Sequence, residues 1–129
     1  MYKILLVDDD PDFVAATRMV LESRLDYDVL TASDAVFGLP IARAEQPDLI
    51  ILDIIMPFED GFTAARQFKA DPAVSHIPII ILTSFSSKVG ETDISVAQGM
   101  ELDAEDYIEK PVSPEELLRR VDKLLKDGR

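Results

Sequence analysis

Five short apolar runs recur along the chain, and none of them alternates apolar with polar residues. A strand with this pattern is buried on both faces, as strands of a parallel sheet are. The starts of the runs lie 21 to 30 residues apart, which leaves room for one crossover helix after each strand. The predicted strands are Lys3–Val7, Asp28–Ala32, Leu49–Leu52, Ile79–Thr83 and Asp106–Ile108. The spacing therefore predicts an α/β chain of five βα units, with helices on both faces of one doubly wound sheet.

Two of the helices between and after these strands have clear sequence signals. Asp10 is a predicted N-cap with Pro11 at the first helical position, and Ser113 is the predicted N-cap of the last helix. The apolar stripe of the first helix is predicted to be Phe13, Val14, Thr17, Val20, Leu21 and Leu25. That of the last helix is predicted to be Leu117, Leu118, Val121, Leu124 and Leu125. The second helix contains Gly38 and Pro40, so we expect it to be kinked or to start late.

Length and charge narrow the class of protein. The chain has 129 residues, which favours a single domain over residues 1–129. Its net charge of −12 argues against direct binding to nucleic acid or to an anionic membrane, since both require a basic surface. There is no cysteine, which excludes disulfides and thiolate zinc sites, and the apolar runs are too short for a signal peptide or a membrane span. We therefore expect a soluble protein of the cytoplasm.

Polar side chains with related chemistry follow several of the predicted strands. Asp8 and Asp9 come directly after the first strand, Asp53 after the third, Thr83 ends the fourth, and Lys110 follows the fifth. In an open parallel sheet, ligands bind outside the carboxyl ends of the strands, where the strand order reverses. The sequence therefore predicts that three carboxylates, a hydroxyl and an ammonium group converge at one edge of the sheet.

The charges at this edge predict a metal-assisted phosphoryl-transfer site. Three carboxylates in close proximity disfavour one another's ionisation unless a cation is present. Mg²⁺ binds one or two carboxylates together with waters and phosphate oxygens, and with Lys110 it brings the three acids to zero net charge. A phosphoryl group on one acid adds about one further negative charge, which the same cations and the Thr83 hydroxyl are able to stabilise.

Four motifs around these residues resemble the receiver domain of bacterial two-component response regulators. They are Leu6–Asp10, Leu52–Pro57 with Asp60-Gly61, Leu82–Ser84 and Asp106–Pro111. The resemblance covers essentially the whole chain, and the motifs occur in the family's order. It implies a flavodoxin-like (βα)5 fold with strand order 2-1-3-4-5.

The resemblance also implies how the acceptor and the metal site are built. Asp53 is implied to accept a phosphoryl group from a sensor histidine kinase or a phosphotransfer protein. Mg²⁺, or Mn²⁺ in its place, is implied to be bound by Asp9, Asp53 and the backbone carbonyl of Ile55, with Asp8 acting through water. The implied protein is a signalling phosphoacceptor, which catalyses only its own phosphorylation and dephosphorylation.

A conformational switch is the second implication of the resemblance. Thr83 and Lys110 are implied to contact the phosphoryl oxygens, and Tyr107 to swing inward when Thr83 moves toward the phosphate. The peptide between Lys110 and Pro111 is usually cis in the family, which makes it a candidate for that geometry here. The phosphorylated state is implied to bind a downstream protein partner or effector, and a phosphorylation-dependent homodimer is one form of that output.

The chain departs from the family pattern between Thr83 and Lys110, where it is several residues longer than usual. We therefore expect the fourth helix of the (βα)5 chain to be displaced, shortened or mobile, which affects the family's usual output surface but not the acceptor site. Acidic side chains are concentrated here, because Glu91–Glu116 contains nine acids and Lys110 as its only base. A basic partner surface is the expected complement.

Two other functions remain open from the sequence. A phosphatase of the haloacid-dehalogenase type uses an aspartate pair after the first strand, and Asp8 and Asp10 have the required spacing. That interpretation leaves Asp53 without a role. It also requires the cap domain of such enzymes, for which the sequence gives no signal. A receiver-like domain that is never phosphorylated is the third possibility, although every required group is present.

Overall fold

A computed structural model of the chain describes residues 1–53, 55–56, 59–83, 106–110 and 112–127. The strands are β1 Tyr2–Val7, β2 Tyr27–Ala32, β3 Leu49–Asp53, β4 Ile55–Met56, β5 Glu59–Asp60, β6 Ile79–Thr83 and β7 Asp106–Glu109. The helices are α1 Pro11–Glu22, α2 Ala35–Glu45, α3 Gly61–Ala70 and α4 Pro114–Asp122, which continues into a π-helical turn at Lys123–Asp127. The expectations for a fourth (βα)5 helix between residues 84 and 105, and for a cis peptide at Pro111, lie outside the described residues.

Five parallel strands form the main sheet in the order β2-β1-β3-β6-β7, while β4 and β5 form a separate two-stranded hairpin. Numbered among themselves, the five strands have the predicted order 2-1-3-4-5. The order reverses between β1 and β3, where Val7 is paired with Leu52. The switch point of the sheet therefore lies immediately before Asp8 on one strand and at Asp53 on the other.

Both faces of the sheet are buried, as the continuous apolar runs predicted. In β1, Leu5 and Val7 belong to the core under α2 and α3, whereas Ile4 and Leu6 belong to the core under α1 and α4. All four side chains are fully buried. A strand enclosed in this way does not shift its register easily, because a slip of one residue would exchange every side chain between the two cores. The ends of the strands are therefore fixed in position.

Side-chain caps begin α1 and α4 where the sequence predicted them. A carboxylate oxygen of Asp10 accepts hydrogen bonds from the backbone N–H groups of Asp12 at 3.0 Å and Phe13 at 3.3 Å. The Ser113 hydroxyl accepts one from the backbone N–H of Glu116 at 3.1 Å. Each cap satisfies N–H groups that have no partner within the helix.

The predicted stripe of α1 is wrong at its last member. Leu25 is 93% exposed, because α1 ends at Glu22 and the chain turns before the stripe can continue. The hydroxyl of Ser23 donates a hydrogen bond to the Val20 carbonyl at 2.6 Å, which closes the end of the helix. Leu21 is the last buried residue of the stripe.

Of the two alternatives expected for α2, the late start is wrong, since the helix starts at Ala35, and the kink stays a prediction. Its cap explains the difference, because the Asp34 carboxylate accepts a hydrogen bond from the Phe37 N–H and the Asp34 carbonyl accepts one from the Gly38 N–H. The helix continues through Pro40 to Glu45. Pro40 removes one backbone donor and crowds the carbonyl four residues earlier, yet the helix is maintained between its Asp34 cap and the buried Ala42.

Gly38 allows close packing of α2 against the sheet. A Cβ atom at this position would lie 3.1 Å from Val7 Cγ2 and 3.6 Å from the Phe68 ring, and both of these side chains are fully buried. We expect Gly38→Leu to lower the free energy of unfolding by about 1–3 kcal/mol, because a larger side chain in a packed core forces its neighbours into strained conformations. Urea denaturation measures this change. Ala44→Leu, at an exposed position of the same helix, should stay within about 0.5 kcal/mol, and an equal loss in both variants would contradict the packing explanation.

Candidate functional site

Three carboxylates meet at the switch point of the sheet. Asp8 follows β1, Asp53 ends β3, and Asp9 begins the turn into α1. One oxygen from each of the three lies within 4.8 Å of the others. Asp8 and Asp53 are only 2% and 3% exposed, whereas Asp9 is exposed to solvent. The cluster is therefore a buried pair of acids with a third acid at its rim.

The ammonium group of Lys110 contacts this cluster. Its Nζ atom lies 2.9 Å from Asp8 Oδ2 and 3.1 Å from Asp53 Oδ2. The face of the Phe13 ring lies against the same nitrogen, with the ring centroid 3.9 Å away. Burial lowers the pKa of the Lys110 ammonium, but the hydrogen bonds and charges of the two aspartates outweigh burial and raise the pKa overall. Lys110 is therefore held as a cation between the two buried acids.

Asp8 and Asp10 have different roles although they lie two residues apart. Asp8 Oδ1 accepts a hydrogen bond from the Asp10 backbone N–H at 3.0 Å, and Asp8 Oδ2 accepts the one from Lys110. Asp10 caps α1 and is not a member of the carboxylate cluster found among the described residues. The arrangement makes Asp10 a structural residue.

The donor set of this cluster fits a hard divalent cation. Two of the three negative charges face Lys110, so the three acids and the ammonium leave a net charge of −2 that one dication balances. All the candidate ligand atoms are carboxylate oxygens, which Mg²⁺ prefers, and the exposed Asp9 leaves the rim open to the waters that Mg²⁺ usually keeps. Ile55 begins β4 two residues after Asp53, and its backbone is paired with Asp60.

Thr83 and Tyr107 lie on the two strands beyond β3. The partner of Asp53 in the sheet is Leu82, so the backbone of Thr83 is one residue further along β6. Tyr107 is on β7, opposite Ile81, and its half-buried side chain packs against the core under α2 and α3. The phosphate contact of Thr83 and the movement of Tyr107 stay predictions.

Arg120 is a residue of this region that the sequence analysis did not identify. From α4, its guanidinium donates to the Tyr107 carbonyl at 3.0 Å and to the Asp106 carboxylate at 2.9 Å. It also donates to Glu116 at 2.8 Å, and Arg119 and Arg120 together lower the pKa of Glu116 to about 2. Part of the predicted acidic surface is therefore already paired with arginines of the chain itself. The i,i+4 spacing of Glu116 and Arg120 was a sequence signal for one of these contacts, but nothing in the sequence indicated the contact with the Tyr107 carbonyl.

A family model for the response regulator receiver domain matches residues 4–122. The chain belongs to this family. Receiver domains of response regulators are signalling domains of two-component systems, and the flavodoxin-like fold and predicted strand order are confirmed. This is also the family that the four sequence motifs indicated.

Curated relatives of this receiver domain differ in length. The probable transcriptional regulator ycf27 of Porphyridium aerugineum is 42% identical over 132 residues, which cover 94% of this chain and 50% of that protein. Protein PilH of Pseudomonas aeruginosa is 39% identical over 125 residues, which cover 97% of this chain and 98% of that protein. The chain thus spans about half the length of the ycf27 relatives and nearly all of PilH.

Solved structures of other receiver domains are similar over nearly the whole chain. The signal receiver domain of a signal transduction histidine kinase from Syntrophus aciditrophicus has a TM-score of 0.85 and 29% identity, covering 100% of this chain and 93% of that one. The receiver domain of the sensor histidine kinase PA1611 from Pseudomonas aeruginosa has a TM-score of 0.81 and 28% identity, covering 96% and 97%. That structure holds a magnesium ion coordinated in its active-site cleft. In the described part of the present chain, no helix has the length and apolar character needed to cross a membrane.

Proposed function

We propose that residues 1–129 form a single receiver domain that accepts a phosphoryl group on Asp53 from a phosphohistidine. The donor is a sensor histidine kinase or a phosphotransfer protein, so the domain works in the cytoplasm, where ATP is available to make that donor. The observation that carries the proposal is the contact of the nearly buried Asp53 carboxylate with Lys110, beside Asp8 and Asp9, at the switch point of the sheet. This is the position at which open parallel sheets bind ligands.

The transfer is a displacement at phosphorus. An Asp53 oxygen forms the new P–O bond, the P–N bond of the donor breaks, and its electron pair returns to the imidazole nitrogen. The negative charge that Asp53 gives up is carried by the phosphoryl oxygens, which Lys110 is close enough to meet. Water later attacks the phosphorus, the P–O bond breaks, and inorganic phosphate leaves while the carboxylate is restored. The domain therefore catalyses only its own phosphorylation and dephosphorylation.

Asp9, Asp53 and the backbone carbonyl of Ile55 are the residues we assign to a bound Mg²⁺ or Mn²⁺, with Asp8 acting through a water molecule. When bound, the metal supplies positive charge against the phosphoryl oxygens. The indirect role of Asp8 is supported by its contacts, because its two oxygens already accept hydrogen bonds from the Asp10 backbone and from Lys110. Asp9 is supported as a direct ligand by its exposure at the rim of the cluster.

The output of the domain is a change in protein binding. We propose that Thr83 contacts the phosphoryl group and that Tyr107 then moves inward. The guanidinium of Arg120 on α4 donates a hydrogen bond to the Tyr107 carbonyl. This contact supports a mechanism in which movement of Tyr107 is transmitted to α4. To move a two-state switch from 1:99 to 99:1, phosphorylation must favour one state by about 5.5 kcal/mol.

A protein partner fits the surface of this domain better than nucleic acid does, because its net charge is −12. Either a downstream effector or a second phosphorylated copy is consistent with this output. The ycf27 relative carries the name of a transcriptional regulator, and half of its length has no match in the present chain. Any contact with DNA in a protein of that kind is proposed to lie outside the receiver domain.

The proposal is tested by measuring the intact mass of the protein after incubation with Mg²⁺ and a small acyl-phosphate donor. We expect one labile phosphoryl group per chain. No group should be added when the metal is chelated before the donor is introduced. Borohydride reduction followed by peptide mapping should place the group on Asp53. A label on Asp8 would instead support the phosphatase function, and the absence of any label would indicate a receiver fold without phosphoacceptor activity.

A further inference from the structure

The ammonium group of Lys110 is held by an aromatic ring as well as by two carboxylates. The centroid of the Phe13 ring is 3.9 Å from Nζ, well inside the roughly 6 Å over which a cation is attracted to the face of a ring. Asp8 and Asp53 accept hydrogen bonds from the same nitrogen. Because the Lys110 side chain is only 17% exposed, little water competes with the ring for this charge.

The local structure fixes the ring where the ammonium lies. The backbone N–H of Phe13 donates a hydrogen bond to the carboxylate of Asp10, the N-cap of α1. The side chain is half-buried and packs against the core under α1 and α4, which includes Leu6 of the adjacent strand. The cap fixes the start of the helix, and the core packs against the ring. Both contacts restrain the position of the Phe13 ring beside Lys110.

We propose that Phe13 is a positioning residue that holds Lys110 in place for phosphoryl transfer to Asp53, an inference that rests on the function proposed above. Phosphorylation moves the negative charge of the Asp53 carboxylate, one of the two acids that now hold the ammonium, onto the phosphoryl oxygens. A lysine held by carboxylates alone would follow that redistribution of charge. The attraction to a neutral ring does not depend on the state of Asp53, so Phe13 keeps the ammonium where the phosphoryl oxygens arrive.

A purely packing role for Phe13 is the competing explanation, and electronic substitution of the ring separates the two. Fluorination of phenylalanine withdraws electron density from the ring face and so weakens its attraction for a cation, while the size of the ring changes little. Leucine fills a similar space without an aromatic face. Tyrosine keeps the face. Only a role that acts through the ring face predicts a graded response to the number of fluorines.

The experiment measures the initial rate of phosphorylation of the full chain by a small acyl-phosphate donor in the presence of Mg²⁺. The variants are Phe13→Leu, Phe13→Tyr and a series with one, two and three fluorines on the ring of Phe13. We expect Phe13→Leu to slow labelling about 2- to 30-fold, the fluorinated series to slow it stepwise, and Phe13→Tyr to keep most of the rate. Phe37→Leu, which changes an exposed aromatic residue on α2, is the matched control and should leave the rate unchanged.

A second measurement detects the contact without phosphorylation. Protons on the Lys110 carbon next to Nζ should show an upfield ring-current shift by NMR, and Phe13→Leu should abolish it. A fluorinated series that labels at the wild-type rate overturns the inference, whether or not Phe13→Leu is slow, because the ring face then has no role. Failure of the wild-type chain to accept any label overturns the proposed function itself, and with it the inference. If Phe13→Leu does not fold, the nearly isosteric fluorinated variants carry the test.

Discussion

The Asp53→Asn variant should accept no phosphoryl group under conditions in which the wild-type chain accepts one. The amide of asparagine is a poor nucleophile, but it has nearly the same shape as the carboxylate and its oxygen is able to accept the hydrogen bond that Lys110 now donates to Asp53. The loss should therefore be chemical rather than structural. Intact mass over a time course with Mg²⁺ and an acyl-phosphate donor should show labelling at background level.

Asp10→Asn is the matched control for this result. Asparagine is as good an N-cap as aspartate, so the start of α1 should be preserved while one nearby negative charge is removed. We expect this variant to accept a full equivalent of label. Asp8→Asn should also label, more slowly, because Lys110 and the Asp10 backbone both depend on Asp8. Label that persists in Asp53→Asn and is lost from Asp8→Asn or Asp10→Asn would support the phosphatase function instead.

The sheet and the cluster of acids were predictable because both depend on patterns that are local in the sequence. A continuous apolar run such as Leu49–Leu52 can be satisfied only by burial on both faces, and this requires helices on both sides of the sheet. The carboxyl ends of parallel strands lie at one edge, so the acids that follow β1 and β3 were expected to meet. Their order in the chain was enough to predict their proximity.

Two of the features that escaped prediction depend on contacts between distant parts of the chain, and a third depends on where a helix ends. Phe13 was assigned only to the apolar stripe of α1, because its contact with Lys110 joins residues that are far apart in sequence. The contact of Arg120 with the Tyr107 carbonyl likewise depends on how α4 packs beside β7. Leu25 fitted the helical period, but the Ser23 cap had already ended the helix. Periodicity indicates which face of an element is buried, whereas it does not indicate where the element stops or which polar group it meets.

Lys110→Met is expected to cause the largest loss of stability among single substitutions at this site. Methionine keeps most of the volume of lysine but removes the ammonium group that pairs with Asp8 and Asp53, whose side chains are 0% and 4% exposed. Removal of one partner from a buried ion pair typically lowers the free energy of unfolding by about 3–5 kcal/mol, a large fraction of the 5–15 kcal/mol of an ordinary domain. Urea denaturation at neutral pH with a chelator present measures the change.

Two comparisons assign that loss to the buried charges. Lys3→Met breaks an ion pair with Glu45 whose side chains are 42% and 45% exposed, and it should cost about 0–1 kcal/mol. Mg²⁺ should stabilise both the wild-type chain and Lys110→Met, in proportion to RT ln(1 + [Mg²⁺]/Kd). The gain should be larger in Lys110→Met, because the three carboxylates then lack the ammonium group that lies 2.9 Å from Asp8 and 3.1 Å from Asp53 in the wild-type chain. The contrary result is that Lys110→Met loses no more free energy of unfolding than Lys3→Met and gains no more from Mg²⁺ than the wild-type chain. That result would mean that solvation by water, and not the Lys110 ammonium, stabilises the charged acids of this site.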